Sequence, residues 1–151
     1  MRRQDAPLRL GRWLLRVRAG EELVFAADAL VEDVHFRWST TDGRALGGKA
    51  LAVNLSDLGA MGATPLGCLL TLGVPADVAP ERLDGFVSGL LSCARASGCP
   101  LVGGDTGRSP VWSIGISVVG AVAANRALLR SGARAGDRIL VTGALGGAAA
   151  G

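Results

Sequence analysis

The order in which apolar residues change their spacing along this chain leaves few folds open. From Glu22 to Leu30, ELVFAADAL, apolar side chains fill both alternating sets of positions, the pattern of a buried strand. From Gly48 to Pro65, GKALAVNLSDLGAMGATP, Leu51, Leu55 and Leu58 recur at the four-then-three spacing of a helix face. Asn54 and Asp57, three apart, are expected as neighbours on a different face of that helix. Leu66 to Val74 reads as a strand closed by Pro75. Pro80 and Glu81 then open a second helix, whose expected core stripe is Leu83, Phe86, Val87, Leu90 and Leu91. Short apolar runs follow at Cys99–Gly103, Val111–Ala123 and Asp137–Thr142, each expected as a strand, with an arginine-bearing loop from Arg126 to Gly136. A β-α-β-α-β-β order of this kind predicts an α+β or α/β domain with its helices on one face of a sheet.

Composition sets the outer limits. The chain has 151 residues, 49% hydrophobic and 19% charged, which suits a globular domain with a sizeable core. No apolar run approaches the roughly 20 residues of a membrane span, and the basic N-terminus lacks the apolar stretch of a signal peptide. The expected setting is therefore the cytoplasm, with no membrane partner. Net charge is +3, but of the 16 basic residues only Lys49 is a lysine, and the arginines are scattered apart from one dense group at Arg2, Arg3, Arg9, Arg12, Arg16 and Arg18. That pattern argues against a nucleic-acid surface. Cys68, Cys93 and Cys99 lack metal-site spacing and are expected as reduced, buried thiols.

Three acids stand out from this apolar background. Asp28 stands near the end of the first strand, where a buried carboxylate is costly unless it is paired, hydrogen-bonded or metal-bound. Asp57 shares its helix with Gly59 and Gly62, each of which costs that helix about 1 kcal/mol relative to alanine and so suggests close packing or a ligand. Asp105 follows Gly103-Gly104, where the backbone has room to approach a phosphate. Carboxylates without a histidine or cysteine cluster suit a hard cation such as Mg²⁺. Arg130 could balance phosphate charge through its planar fork. No Walker-type loop and no serine or cysteine nucleophile arrangement is present, so no catalytic nucleophile is assigned. The single histidine, His35, sits between Val34 and Phe36.

The ordered segments DALVEDVHF, GKALAVNLSDLGAMGATP, LVGGDTGRSP and RALLRSGARAGDRILVTG resemble thiamine-monophosphate kinase of the aminoimidazole-ribonucleotide-synthetase superfamily. The NLSD-x-x-AMGA helix is shared across that superfamily, whereas the VHF segment points to the thiamine-monophosphate branch. The resemblance implies an α+β fold with a mixed or antiparallel sheet and helices on one face. It implies ATP-dependent phosphorylation of thiamine monophosphate to thiamine diphosphate, with Mg²⁺ as cofactor and a homodimer joined through the sheets. By position, Asp28, Asp57 and Asp105 match metal ligands, Gly104, Asp105 and Arg130 match ATP-contacting residues, and His35 matches a substrate contact.

The chain also departs from that family. The family's upstream Gly-Asp-Asp has no counterpart around Leu10-Gly11-Arg12-Trp13, and Ala26-Ala27 stand where the family usually carries Ser/Thr-Thr. The expected organisation is a divergent segment at 1–21, a nucleotide- and Mg²⁺-binding, dimerising domain at 22–135, and the start of a truncated second domain at 136–151. A kinase fragment is therefore expected. The alternatives are a catalytically incomplete fragment that dimerises or binds nucleotide, and another synthetase of the superfamily.

Overall fold

A computed structural model describes residue 15, residues 17–141 and residues 143–146. The region around Leu10–Trp13, where the Gly-Asp-Asp motif is missing, lies outside the described residues. The elements run β1 (Glu21–Val31), α1 (Gly43–Ala60), β2 (Thr64–Val74), α2 (Pro80–Ser97), β3 (Leu101–Arg108) and β4 (Ser113–Ala123). The four strands form one sheet in the order β1-β4-β2-β3. β4 lies antiparallel to both β1 and β2, while β2 and β3 are parallel and joined through α2, the crossover that a parallel pair requires. The sheet is mixed and the fold is α+β, with both helices contributing to the core on one face, as expected.

That core follows from strand alternation. Ile114, Ile116 and Val118 on β4 and Cys68 and Leu72 on β2 share the covered face with Val24 and Leu30 of β1, and all are buried. Leu46, Leu51 and Leu58 of α1 and Phe86 and Leu90 of α2 close over them. At one end Trp112 meets Trp38 and Phe86 edge-on, with ring centroids 5.0 and 5.7 Å apart. The two helices approach closely because glycines face each other's backbone. A Cβ at Gly47 would overlap the Phe86 carbonyl oxygen, and one at Gly89 would overlap the Arg44 carbonyl oxygen. Arg44 Nη1 also donates to Ser88 Oγ at 3.0 Å across this seam.

Several expectations need correction. α1 begins at Gly43 rather than Gly48, because Asp42 caps it by accepting from the Ala45 N–H at 2.7 Å. The glycines that contact α2 are Gly43 and Gly47, whereas Gly59 has nothing within 4 Å of its would-be Cβ and Gly62 lies past the end of α1 in a left-handed turn, so neither packs against that helix. Asn54 is not on an outer face beside Asp57. It is fully buried in the stripe with Ala50, Leu51 and Leu58, and its Nδ2 donates to the Ala50 carbonyl at 3.0 Å. Val87, placed in the core stripe of α2, is 38% exposed. Residues 137–141 form no strand, and Ile139 is 93% exposed, because no described strand lies alongside to pair with them.

All three cysteines are free, with Cys68 and Cys99 buried and Cys93 partly so. A hydrogen bond with Cys99, reinforced by burial, pushes the Cys68 thiol above the ordinary thiol range.

Candidate functional site

Of the residues singled out for chemistry, Asp57 and Arg130 line one cavity between β1 and α1, while Gly104 and Asp105 lie on β3. On β1, Val24, Ala26, Asp28 and Leu30 point to the helix side; Val24 and Leu30 are buried there, but Asp28 is exposed. Its carboxylate therefore carries no burial cost and is free to meet a ligand. Asp57, exposed on the last turns of α1, lines a cavity of about 580 Å³ together with Ala26, Ala27 and Arg130. The chain reaches this cavity because the Leu128 N–H donates to the Met61 carbonyl at 3.1 Å, fastening the segment before Arg130 to the end of α1. A carboxylate and a guanidinium thus line one concavity although they are 73 positions apart (130 − 57). Its wall at Ala26-Ala27 offers only methyl groups and backbone.

Asp105 stands elsewhere. The register aligns Asp28 with Ile116, Ile116 with Leu70, and Leu70 with Gly104, with Asp105 in the next row beside Thr71. Three strand spacings of about 4.8 Å separate β1 from β3, or roughly 14 Å of backbone. Two oxygens on one Mg²⁺ lie no more than about 4 Å apart, since each bond is about 2.1 Å. Among the described residues no three His, Cys, Asp or Glu side chains converge on one point. Asp105 instead accepts from the Thr106 N–H at 3.0 Å. Gly104 has a structural reason to be glycine, since its φ is 151° and a Cβ would overlap the Leu70 carbonyl oxygen.

His35 is exposed, in the turn that follows β1. Its Nδ1 accepts from the Val31 N–H at 3.0 Å, which assigns the ring proton of the neutral imidazole to Nε2. Its carbonyl accepts from Lys49 Nζ at 3.1 Å. The turn is anchored from behind by a two-way tie, in which the Glu32 N–H donates to the Trp112 carbonyl at 2.9 Å and the Trp112 N–H donates to Glu32 Oε2 at 3.0 Å.

Exposed carboxylates at Asp28 and Asp57 fit Mg²⁺, which is commonly held by one or two carboxylates, waters and substrate phosphates. Arg130 lines the same cavity as Asp57, and a guanidinium is a donor of the charge and geometry that suit a phosphate.

Comparison with known proteins bears on this geometry. The family model described as AIR synthase related protein, N-terminal domain, matches residues 11–122. The chain belongs to that family. Within it, the thiamine-monophosphate kinase of Synechococcus elongatus is 44% identical over 133 residues, which cover 88% of this chain and 41% of that protein. The crystal structure of thiamine-monophosphate kinase from Stenotrophomonas maltophilia K279a superposes with a TM-score of 0.70 at 42% identity, covering 76% of this chain and 35% of that one. The structure of AaThiL complexed with AMPPCP and TMP superposes at 0.67 with 30% identity, covering 72% of this chain and 35% of that one. This chain therefore spans less than half the length of the relatives it matches.

The AIR-synthase-related domain as matched ends at Val122, before Arg130, so the arginine joins the cavity from outside the family match. Sequence reasoning missed Lys49 and Glu32 as members of the His35 turn. The signal for Lys49 was its solitary status among arginines. Glu32 had none, because its partner Trp112 is 80 positions away.

Proposed function

We propose that this chain is the N-terminal part of a thiamine-monophosphate kinase, acting in thiamine diphosphate biosynthesis in the cytoplasm. The observation that carries the reading is the cavity that Asp57 and Arg130 both line. In the reaction, an oxygen of the thiamine monophosphate phosphate forms a bond to the γ-phosphorus of ATP. The bond from that phosphorus to the β–γ bridging oxygen breaks, and ADP leaves. Such transfer depends on positioning and charge neutralisation rather than on a protein nucleophile.

Each residue then has a task. Arg130 offers its planar fork to the nucleotide phosphates. Asp28 and Asp57 would hold Mg²⁺, which neutralises phosphate charge when bound. His35 presents Nε2–H to thiamine monophosphate. Asp105 and Gly104, across the sheet, belong to the same nucleotide and metal assignment by resemblance alone. AMPPCP in the AaThiL complex, an analogue of a nucleoside triphosphate, supports ATP as co-substrate. The apolar open face of the sheet, with Phe25 72% exposed, supports a homodimer joined through the sheets. Residues 22–135 are proposed as the nucleotide-binding and dimerising domain, with 136–151 opening a second domain that gives Ile139 and its neighbours a partner.

Separation of Asp105 from Asp28 favours one second reading, a domain that binds nucleotide and dimerises without turnover. The deciding assay supplies thiamine monophosphate, ATP and Mg²⁺ to two samples. One is the chain itself; the other is the chain joined to the C-terminal part of the Synechococcus elongatus relative. Thiamine diphosphate and ADP in equal amounts from the joined protein are expected. No product from it, with Mg·ATP still binding by calorimetry, overturns the kinase reading in favour of the second.

A further inference from the structure

Lys49 is the only lysine in a chain that uses arginine at every other basic position, and the phosphate chemistry above leaves it without a task. It is exposed on α1, and its Nζ reaches back across the β1–α1 connection to the His35 carbonyl at 3.1 Å. An ammonium is a compact donor on a flexible stem, whereas a guanidinium spreads its donors over a rigid plane. A single backbone carbonyl at the end of a short reach suits the ammonium.

The turn that Lys49 holds is strained and over-determined. Asp33 sits at φ 62°, a left-handed conformation that costs a non-glycine residue free energy. Its N–H donates to the Phe36 carbonyl at 2.8 Å, and the His35 N–H donates to the Val31 carbonyl at 2.8 Å. The Val31 N–H returns to His35 Nδ1. Ring, amide and carbonyl of His35 are thus each fixed, and among the described residues the Lys49 hydrogen bond is the one that ties them to the helix that carries Asp57. The turn also seats Phe36 in the core against Trp38, but the imidazole beside it stays exposed. The constraint sets which nitrogen faces solvent as a donor.

We propose that Lys49 is a positioning residue for the phosphate-ester acceptor: by tying His35 to α1 it keeps the imidazole as an outward Nε2–H donor for a phosphate monoester, and it takes no part in binding nucleotide. This rests on the reading of His35 as the acceptor contact. Because His35 is the only histidine, its two ring nitrogens can be followed individually by nitrogen-15 NMR in the 151-residue chain. The parent is expected to show a protonated Nε2 and an unprotonated Nδ1 when the ring is neutral. Lys49→Met is expected to average the two tautomers, and Lys49→Arg to restore the parent pattern at least in part. Added thiamine monophosphate should shift the Nε2 signal of the parent, and Lys49→Met should weaken that binding about tenfold, the scale of one lost hydrogen bond in a charged setting. Mg·ATP affinity, measured by calorimetry, should be the same in parent and variant. An unchanged tautomer in Lys49→Met, no His35 shift with thiamine monophosphate in the parent, or an equal loss of ATP affinity in the variant each overturns the proposal. A His35 shift without any phosphotransfer by the joined protein overturns the kinase reading and leaves this one standing.

Discussion

On the covered face of the sheet Ile114, Ile116 and Val118 are no more than 2% exposed, whereas on the other face Phe25 is 72% and Leu69 48% exposed. Both faces are built from the same strands and from similarly apolar residues. What separates them is whether a second layer can come close. On the covered side α1 and α2 supply that layer, packed backbone against backbone on each other through the glycines of their seam. The open side has no such layer among the described residues, and it keeps an apolar basin of about 560 Å³ lined in part by Leu23, Phe25 and Leu69. Apolar alternation thus tells which residues seek cover, and the glycine pattern tells where this chain supplies it.

The comparison breaks first at the aromatic cluster. Trp112 is 2% exposed and stands between Trp38 and Phe86. Trp112→Ala is expected to cost about 3–5 kcal/mol, the range for deleting a large buried aromatic. Against a total of roughly 5–15 kcal/mol, that is a large share of the stability. Urea denaturation followed by circular dichroism measures it. A loss below about 1 kcal/mol would mean that the covered face is no better packed than the open one.

The helix seam comes next. Gly89→Ala places a Cβ on the Arg44 carbonyl oxygen, so the helices must separate, at an expected cost of about 1–3 kcal/mol. Gly48→Ala is the matched control. Gly48 lies inside α1 with nothing within 4 Å of its would-be Cβ. Alanine there is expected to stabilise by about 0.5–1 kcal/mol, because it removes backbone freedom from the unfolded chain. Chemical denaturation of the two variants should move in opposite directions. Equal destabilisation would show that the seam does not depend on close backbone approach.

This pair of glycines also shows how far the fold was legible. Apolar spacing located both helices and four strands, since burial on a regular element leaves a periodic mark. The start of α1 is placed late because the apolar stripe that marks it begins at Leu51, whereas Gly43 and Gly47 are buried against α2 and carry no apolar side chain to read. Asn54 was misassigned because a polar residue in a buried stripe has no periodic signature. Residues 137–141 look like a strand, yet strand formation needs a neighbour, and no described strand supplies one. Of the site, Asp28, Asp57, Arg130 and His35 were nameable one by one, with their assignments drawn from resemblance. That Asp57 and Arg130 line one cavity, that Asp105 lies strands away, and that Lys49 grips His35 are all consequences of tertiary packing. Local spacing does not carry that information.

The smallest expected effect on stability lies on the open face, and it sharpens the contrast most. Phe25→Ser should change the unfolding free energy of a dilute sample by no more than about 0.5 kcal/mol, because an exposed side chain loses little on truncation. If two copies meet through this face, the same substitution removes a large aromatic from the centre of the contact, where such residues dominate binding. Sedimentation should then show the parent shifting from monomer to dimer as concentration rises, with Phe25→Ser remaining monomeric over the same range. The parent's denaturation midpoint should rise with concentration and the variant's should not, because association stabilises the folded state by mass action. A loss of several kcal/mol in dilute Phe25→Ser would mean that the face is already covered within one chain. A parent that stays monomeric at every concentration would remove the homodimer and leave the open face for a different occupant.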